Sequence, residues 1–303
     1  MVKSPKRMAG RSWLTELAVR SVRDLFKTGN ARGTEWFRKQ INKGFGPHPA
    51  FFKVSHNTRT IAGVSCMMLS PNEGVKSESV ILYLHGGGYV FGSPQGYKSI
   101  LASLALESDG LVIAPDYRLA PEFSFPAAHD DSLKTALAII KTYHDKKIVI
   151  AGDSAGGALA IATTLELQRL GHTDAVDRLV LLSPWVNPNA KGGSIDANKA
   201  NDFLRPEFLS KSINALMKGG DLNNPSINFT KTNLASLPNT LVQYGAGEIF
   251  YDQIVEFNRR LKEQGVALTE QCYPTQFHVF QLFSATLKDA KQAMADIGKF
   301  INS

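Results

Sequence analysis

Short apolar runs alternate with longer mixed stretches along most of this 303-residue chain. Residues 80–84, 111–114, 148–151, 179–182 and 241–244 are dense in Val, Ile, Leu and Ala, as strands buried on both faces of a parallel sheet are. Between them, residues 99–107, 132–143, 155–170 and 252–264 have helix-length patterns, each long enough for a right-handed crossover. The alternation predicts one α/β domain on an open, doubly wound sheet. Residues 51–55 and 64–69 supply an antiparallel start, and residues 267–273 a late strand, which makes a mostly parallel sheet of eight strands flanked by helices. Residues 187–233 interrupt the pattern with polar positions around a helix near 208–218. They are expected to join helices from residues 1–50 in a cap over a catalytic domain of residues 51–303.

Charge changes the picture only at one end. The first 50 residues hold eleven Lys/Arg against three Asp/Glu, a balance of +8, which leaves 23 against 24, or −1, for the rest. Within that segment Leu14, Leu17, Ala18, Val22, Leu25 and Phe26 recur at helical spacing, with Arg20, Arg23 and Lys27 interleaved. Such a helix packs on the protein's own body or, less strongly, makes weak contact with an anionic membrane surface. Nucleic acid is not expected, because no recognition motif accompanies the charge. Trp13, Trp36, Phe37 and Phe203 are either packing within the cap or the lining of a pocket.

No apolar run approaches the ~20 residues of a membrane span, and no signal-like apolar segment follows the basic residues near Met1, so a cytoplasmic location is the expectation. Cys66 and Cys272 have no metal-ligand spacing and are expected to be reduced structural thiols. An edge strand or a late helix leaves a symmetric homodimer open.

Candidate chemistry lies where strands end, since open α/β sheets place their sites outside the carboxyl ends. The run at 148–151 is followed by Gly152-Asp153-Ser154-Ala155-Gly156, a G-x-S-x-G turn with a strand before it and a helix after it. A Cβ at Gly152 or Gly156 would crowd the neighbouring strand and helix. The helix N-terminus beyond favours developing negative charge. A dinucleotide or phosphate loop is excluded because neither of its glycine spacings is present. After 80–84 come His85-Gly86-Gly87-Gly88, whose consecutive glycines allow backbone N–H groups to face a tetrahedral oxygen.

These segments together resemble the hormone-sensitive-lipase-like bacterial esterases of the α/β-hydrolase superfamily, over about residues 80–280. The likeness rests on His85-Gly86-Gly87-Gly88-Tyr89, on Asp116-Tyr117-Arg118-Leu119-Ala120-Pro121-Glu122, on Phe125-Pro126-Ala127-Ala128 and on Gly152-Asp153-Ser154-Ala155-Gly156-Gly157. The resemblance implies an α/β-hydrolase fold with a helical cap and hydrolysis of short- to medium-chain esters. It implies oxyanion donors at the N–H groups of Gly87, Gly88 and Ala155, and a bracing role for the 116–122 stretch.

In this fold the triad runs Ser, then Asp or Glu, then His. Of seven histidines only His172 and His278 follow Ser154, and a helical rise puts His172 about 27 Å away. His278, after the run at 267–273, is therefore the expected base. For the acid, relatives carry Asp-Pro-Leu where this chain reads Gly247-Glu248-Ile249-Phe250, which aligns Glu248 with the aspartate; Asp252, one turn on, is the alternative. Asp153 is expected to hold the loop. The chemistry expected is an acyl-enzyme route that needs no metal or organic cofactor. A lipase, an amidase or a catalytically silent small-molecule-binding protein on the same scaffold remain alternatives, the last disfavoured by a histidine standing beside an intact serine and glycine run.

Overall fold

The computed structural model describes residues 8–44 and 48–303. The basic residues Lys3, Lys6 and Arg7 of the N-terminal segment lie outside them. Helices α1 (Trp13–Arg32) and α2 (Thr34–Ile41) open the chain, followed by the strands β1 (Val54–Ile61), β2 (Val64–Pro71) and β3 (Ser79–Leu84). Then come α3 (Pro94–Glu107), β4 (Leu111–Pro115), α4 (Ala127–Thr142), β5 (Lys147–Asp153), α5 (Ala155–Arg169) and β6 (Arg178–Leu182). The short α6 (Ser194–Ala197) and α7 (Pro206–Met217) precede β7 (Asn239–Gly245), α8 (Tyr251–Glu263), β8 (Leu268–Tyr273) and α9 (Lys288–Asn302).

One eight-stranded sheet runs β1-β2-β4-β3-β5-β6-β7-β8, antiparallel at β1-β2 and β2-β4 and parallel thereafter. The near-continuous apolar strands have the burial they predict: all six residues of β3 are buried. Alternate side chains feed opposite faces. Val80, Leu82 and Leu84 join the cluster containing α4, α5 and α8, whereas Ile81 and Tyr83 join the one containing α3 and α9. Each fully buried aliphatic side chain contributes about 1.5–3 kcal/mol, so this two-sided burial is the main force holding the layers.

The predicted elements differ at their starts. Residues 51–53 lie in a 3-10 turn led by Pro49, so the first strand begins at Val54. Helix α3 starts five residues before the predicted 99, with Pro94 in its first turn and the Ser93 hydroxyl accepting the Gly96 N–H. In α1 the buried row is Thr15, Ala18, Val19 and Val22, while Trp13, Leu14 and Leu17 stay exposed. The rotation follows from two arginines that tie α1 down by carbonyls: Arg11 donates to Thr275 O at 2.8 Å and Asn201 O at 2.7 Å, and Arg23 to Ala200 O and Asp202 O at 2.9 Å. No helix among the described residues is long and apolar enough to cross a membrane.

Helix α9 closes the sheet by an approach that only glycine permits: a Cβ on Gly298 would sit 2.0 Å from the Glu107 carbonyl oxygen at the end of α3. Gly298→Ala is expected to lower unfolding stability by about 1–3 kcal/mol, read from the midpoint of urea denaturation.

Candidate active site

The strand order reverses at β3, since the chain passes from β3 to β4 on one side and then to β5 on the other. This is where an α/β sheet opens a crevice beyond its carboxyl ends. Five strand ends deliver polar groups there: His85 after β3, Ser154 after β5, Ser183 after β6, Glu248 after β7 and His278 after β8.

Ser154 sits at φ 54° and ψ −121° between β5 and α5, in backbone space that a non-glycine residue occupies only when its surroundings enforce it. The enforcement is visible: its N–H donates to Leu182 O at 2.9 Å, and its carbonyl accepts from Trp185 N at 2.9 Å and Ala158 N at 3.2 Å. The turn also needs backbone crowding. A Cβ on Gly156 would lie 2.0 Å from Leu84 O, and one on Gly152 would lie 2.3 Å from Gly156 O.

Ser154 Oγ lies 2.8 Å from His278 Nε2, and His278 Nδ1 lies 2.9 Å from Glu248 Oε2. The other carboxylate oxygen, Oε1, accepts from Gly245 N at 2.7 Å and from the Ser183 hydroxyl at 3.1 Å. The Ser183 oxygen in turn accepts the Val279 N–H at 3.1 Å, which ties the acid's environment to the histidine loop. Both Glu248 and His278 are buried. Burial pushes the glutamate carboxyl up, against the Gly245 and Ser183 donors, and pushes the imidazole down. The His278 ring packs edge-on against Phe250 at 4.9 Å, which removes water from one side.

Asp252 does not join this group. It lies in the first turn of α8, where Oδ2 accepts the Ser194 N–H at 2.7 Å and its own N–H donates to Ser194 Oγ at 3.0 Å. His172 lies beyond the end of α5, exposed. Asp153 turns away from the serine's partners: Oδ1 accepts from Tyr83 OH at 2.9 Å and Gly86 N at 2.8 Å, and Oδ2 from Tyr97 OH at 3.2 Å. Burial raises its carboxyl to about 7.

The glycine run lines the same cavity as Ser154 and His278. Gly87 has φ +115°, and a Cβ there would meet Phe91 O at 2.1 Å. Among the described residues no protein acceptor takes the N–H of Gly87, Gly88 or Ala155, the last being the first residue of α5 and so without an intrahelical acceptor. The 116–122 stretch braces this loop. Tyr117 OH donates to His85 O at 2.6 Å and its ring stacks on His85 at 4.2 Å, while Arg118 pairs with Asp131 through two bonds of 2.8 Å.

The cavity at Ser154 is narrow and is walled by Phe26, Phe91, Phe203 and Phe208. Phe203 lines it, but Trp13 and Trp36 do not: Trp13 is 67% exposed, and the Arg32 guanidinium covers the Trp36 ring. Phe37 lines a second cavity beyond the wall. Two residues escaped sequence reasoning. Ser183 is one; Asp202 is the other, fully buried, accepting Phe203 N at 2.7 Å and Ile249 N at 2.9 Å and so fixing the residue after Glu248. A small polar residue just beyond β6 was the only signal for Ser183, and Asp202 had none. Among the described residues no group of three or more His, Cys, Asp or Glu is arranged to hold a metal ion, and both cysteines are free.

Asp153→Asn can no longer offer acceptors to all three of its donors, and should destabilise the fold by about 1–3 kcal/mol, measured by thermal or urea unfolding.

A family described as having the α/β-hydrolase fold matches residues 81–282. An esterase of Acinetobacter venetianus is 32% identical over 230 residues, 74% of this chain and 75% of its own, and an acetyl-hydrolase of Streptomyces hygroscopicus is 29% identical over 225 residues, 74% and 75%. Among solved structures, an esterase from the bacterial hormone-sensitive lipase family superposes with a TM-score of 0.85 at 29% identity, covering 94% of this chain and 97% of that one. A hormone-sensitive lipase from a metagenome library gives 0.84 at 30% identity, covering 93% and 97%. With its doubly wound sheet and strand-end serine, this chain belongs to the α/β-hydrolase family, among the hormone-sensitive-lipase-like esterases, and is a carboxylic ester hydrolase.

Proposed function

We propose that the enzyme hydrolyses short- to medium-chain esters with Ser154 as nucleophile, His278 as general base and Glu248 as the acid that orients it. The observation that carries this reading is the unbroken hydrogen-bond chain from Ser154 Oγ through both nitrogens of His278 to Glu248, at 2.8 and 2.9 Å. Neutral His278 takes the serine proton as Oγ attacks the ester carbonyl, and Glu248 holds the tautomer with the proton on Nδ1 and stabilises the imidazolium. The tetrahedral oxyanion is received by the free N–H groups of Gly87, Gly88 and Ala155, each worth about 2.7–4 kcal/mol of barrier. His278 returns the proton to the leaving alcohol, then activates the water that cleaves the acyl-enzyme. Residues 8–44 and 187–233 form the cap, which keeps this exchange in a dry, apolar cavity. The aromatic wall supports a short acyl limit, and the acetyl-hydrolase name of one relative agrees.

On p-nitrophenyl esters from acetate to laurate, turnover should peak among the shorter members, and Ser154→Ala should abolish it. Glu248→Gln should lower kcat by several orders of magnitude, because it allows the wrong histidine tautomer, whereas Asp252→Asn should leave kcat within about twofold. Equal losses in both variants would overturn the assignment of the acid.

The pH profile follows from burial. His278 must be neutral to act, and desolvation lowers its pKa from the ordinary 6.5, so the inactive protonated form accumulates only at lower pH. Activity should therefore fall with acidification through a midpoint below 6.5, with a plateau across neutral pH. A midpoint at or above 6.5 in kcat/KM would contradict it.

A further inference from the structure

Beyond the aromatic wall lies a second, wider cavity of about 800 Å³ that shares Phe26, Phe91, Phe203 and Phe208 with the inner one. Its character is different. Arg23 and Lys27 enter its lining from α1, Arg205 from the segment before α7 and Lys211 from α7, against one carboxylate, Glu207. Two segments distant in sequence thus bring cations to one space, although the chain after residue 50 is close to neutral.

Cations outnumber carboxylates four to one in this lining, and outside it Asp202 and Glu16 offset part of the charge at Arg23. Arg23 and Arg205 direct their hydrogen bonds to the carbonyls of Ala200, Asp202 and Lys199, which satisfy donors but leave the charge in place. Burial first and then the neighbouring Arg205 push the Arg23 guanidinium pKa down, and the carboxylates of Asp202 and Glu16 oppose them without reversing the direction. Two buried polar atoms of lining residues, Arg23 Nε and the Ser212 hydroxyl oxygen, have no protein partner. Unpaired buried donors are costly, and anionic oxygens accept from such groups more strongly than neutral ones do.

We infer that the preferred substrates are esters whose remote end carries an anionic oxygen group, a carboxylate or phosphate, held in the outer cavity by Arg23, Lys27, Arg205 and Ser212 while the ester reaches Ser154 through the aromatic wall. The inference rests on the proposed function and names its substrate class. Hydrolysis proceeds as before: water adds, the ester C–O bond breaks, and the anionic group takes no part in bond making. Its attraction to the cationic lining raises capture of the substrate, so the effect belongs in kcat/KM.

The test uses two series of esters of increasing chain length followed by pH-stat: ω-acetoxyalkanoates against their primary amides, and monomethyl alkanedioates against the corresponding half-amides. The first places the anion on the alcohol side, the second on the acyl side. In one series the carboxylate should exceed its amide in kcat/KM by about tenfold at an optimal length, and the advantage should shrink as NaCl is added. Lys27→Glu and Arg205→Glu should each lower that ratio severalfold, while Lys141→Glu, an exposed site on α4, should not move it. Hydrolysis of the amides with no carboxylate advantage in either series would overturn this inference and leave the proposed function standing. Inertness towards every member would overturn both. Acceleration by phosphatidylglycerol vesicles, with no preference among dissolved esters, would assign the cations to a lipid surface and also overturn it.

Discussion

The approach of α5 to the end of β3 constrains everything around the site. With a Cβ on Gly156 only 2.0 Å from Leu84 O, the helix can start where it does only because glycine leaves the gap empty. That start sets the Ser154 backbone at φ 54°, and three backbone hydrogen bonds, to Leu182, Trp185 and Ala158, hold it there. The strain is local and is offset by the packing of β5 between β3 and β6, both buried on two faces. Moving the helix out by even a methyl group would separate the serine hydroxyl from the end of β3, and with it from the glycine loop that faces the same cavity.

Three buried carboxylates surround this turn, and each is kept by a different set of donors. Asp153 is satisfied by two tyrosine hydroxyls and the Gly86 N–H, Glu248 by a backbone N–H, a serine hydroxyl and an imidazole, and Asp202 mainly by backbone N–H groups. Only one faces a titratable base within hydrogen-bond reach. Desolvation raises all three, yet their partners separate them by role. Asp153 and Asp202 spend their oxygens on loops, whereas Glu248 spends one on its loop and one on His278. Buried polar networks of this kind favour a single arrangement, because a half-satisfied member costs more than the network gains.

The sequence made the centre of the sheet legible because parallel strands covered on both faces must be apolar at every position, and 80–84 and 148–151 are. The Ser154 turn was equally plain, since its glycines are dictated by close backbone contact. Boundaries were less so: the start of α3 was missed despite a serine cap and a proline at 93–94, both local signals. Ser183 and Asp202 were missed for a different reason. Their bonds to Glu248 and Ile249 join residues 65 and 47 positions apart, and no periodicity or spacing encodes such a contact. The exposure of Leu14 and Leu17 likewise depends on where Arg11 and Arg23 find carbonyls, information carried by the insertion and not by the helix.

Those arginines explain how a strongly basic segment comes to lie against an apolar site. Arg11, Arg23 and Arg38 all use backbone carbonyls as acceptors, Arg38 reaching Val90 O at 2.7 Å and Ala120 O at 2.6 Å. A guanidinium has five donors and a fixed fork, so it can join two loops that lack side chains of their own to offer. The fixed positive charge is then a consequence of the fastening. Arg11 has Glu16 beside it and Arg38 has Glu122, so the field is compensated at both. Arg23 and Arg205 lie close enough to repel each other, with Asp202 and Glu16 opposing that repulsion at Arg23, and these are the two that line the outer cavity. Carbonyl acceptors add no negative charge of their own, so where two such arginines meet beside Lys27 the structural use of arginine leaves a field that a substrate can feel.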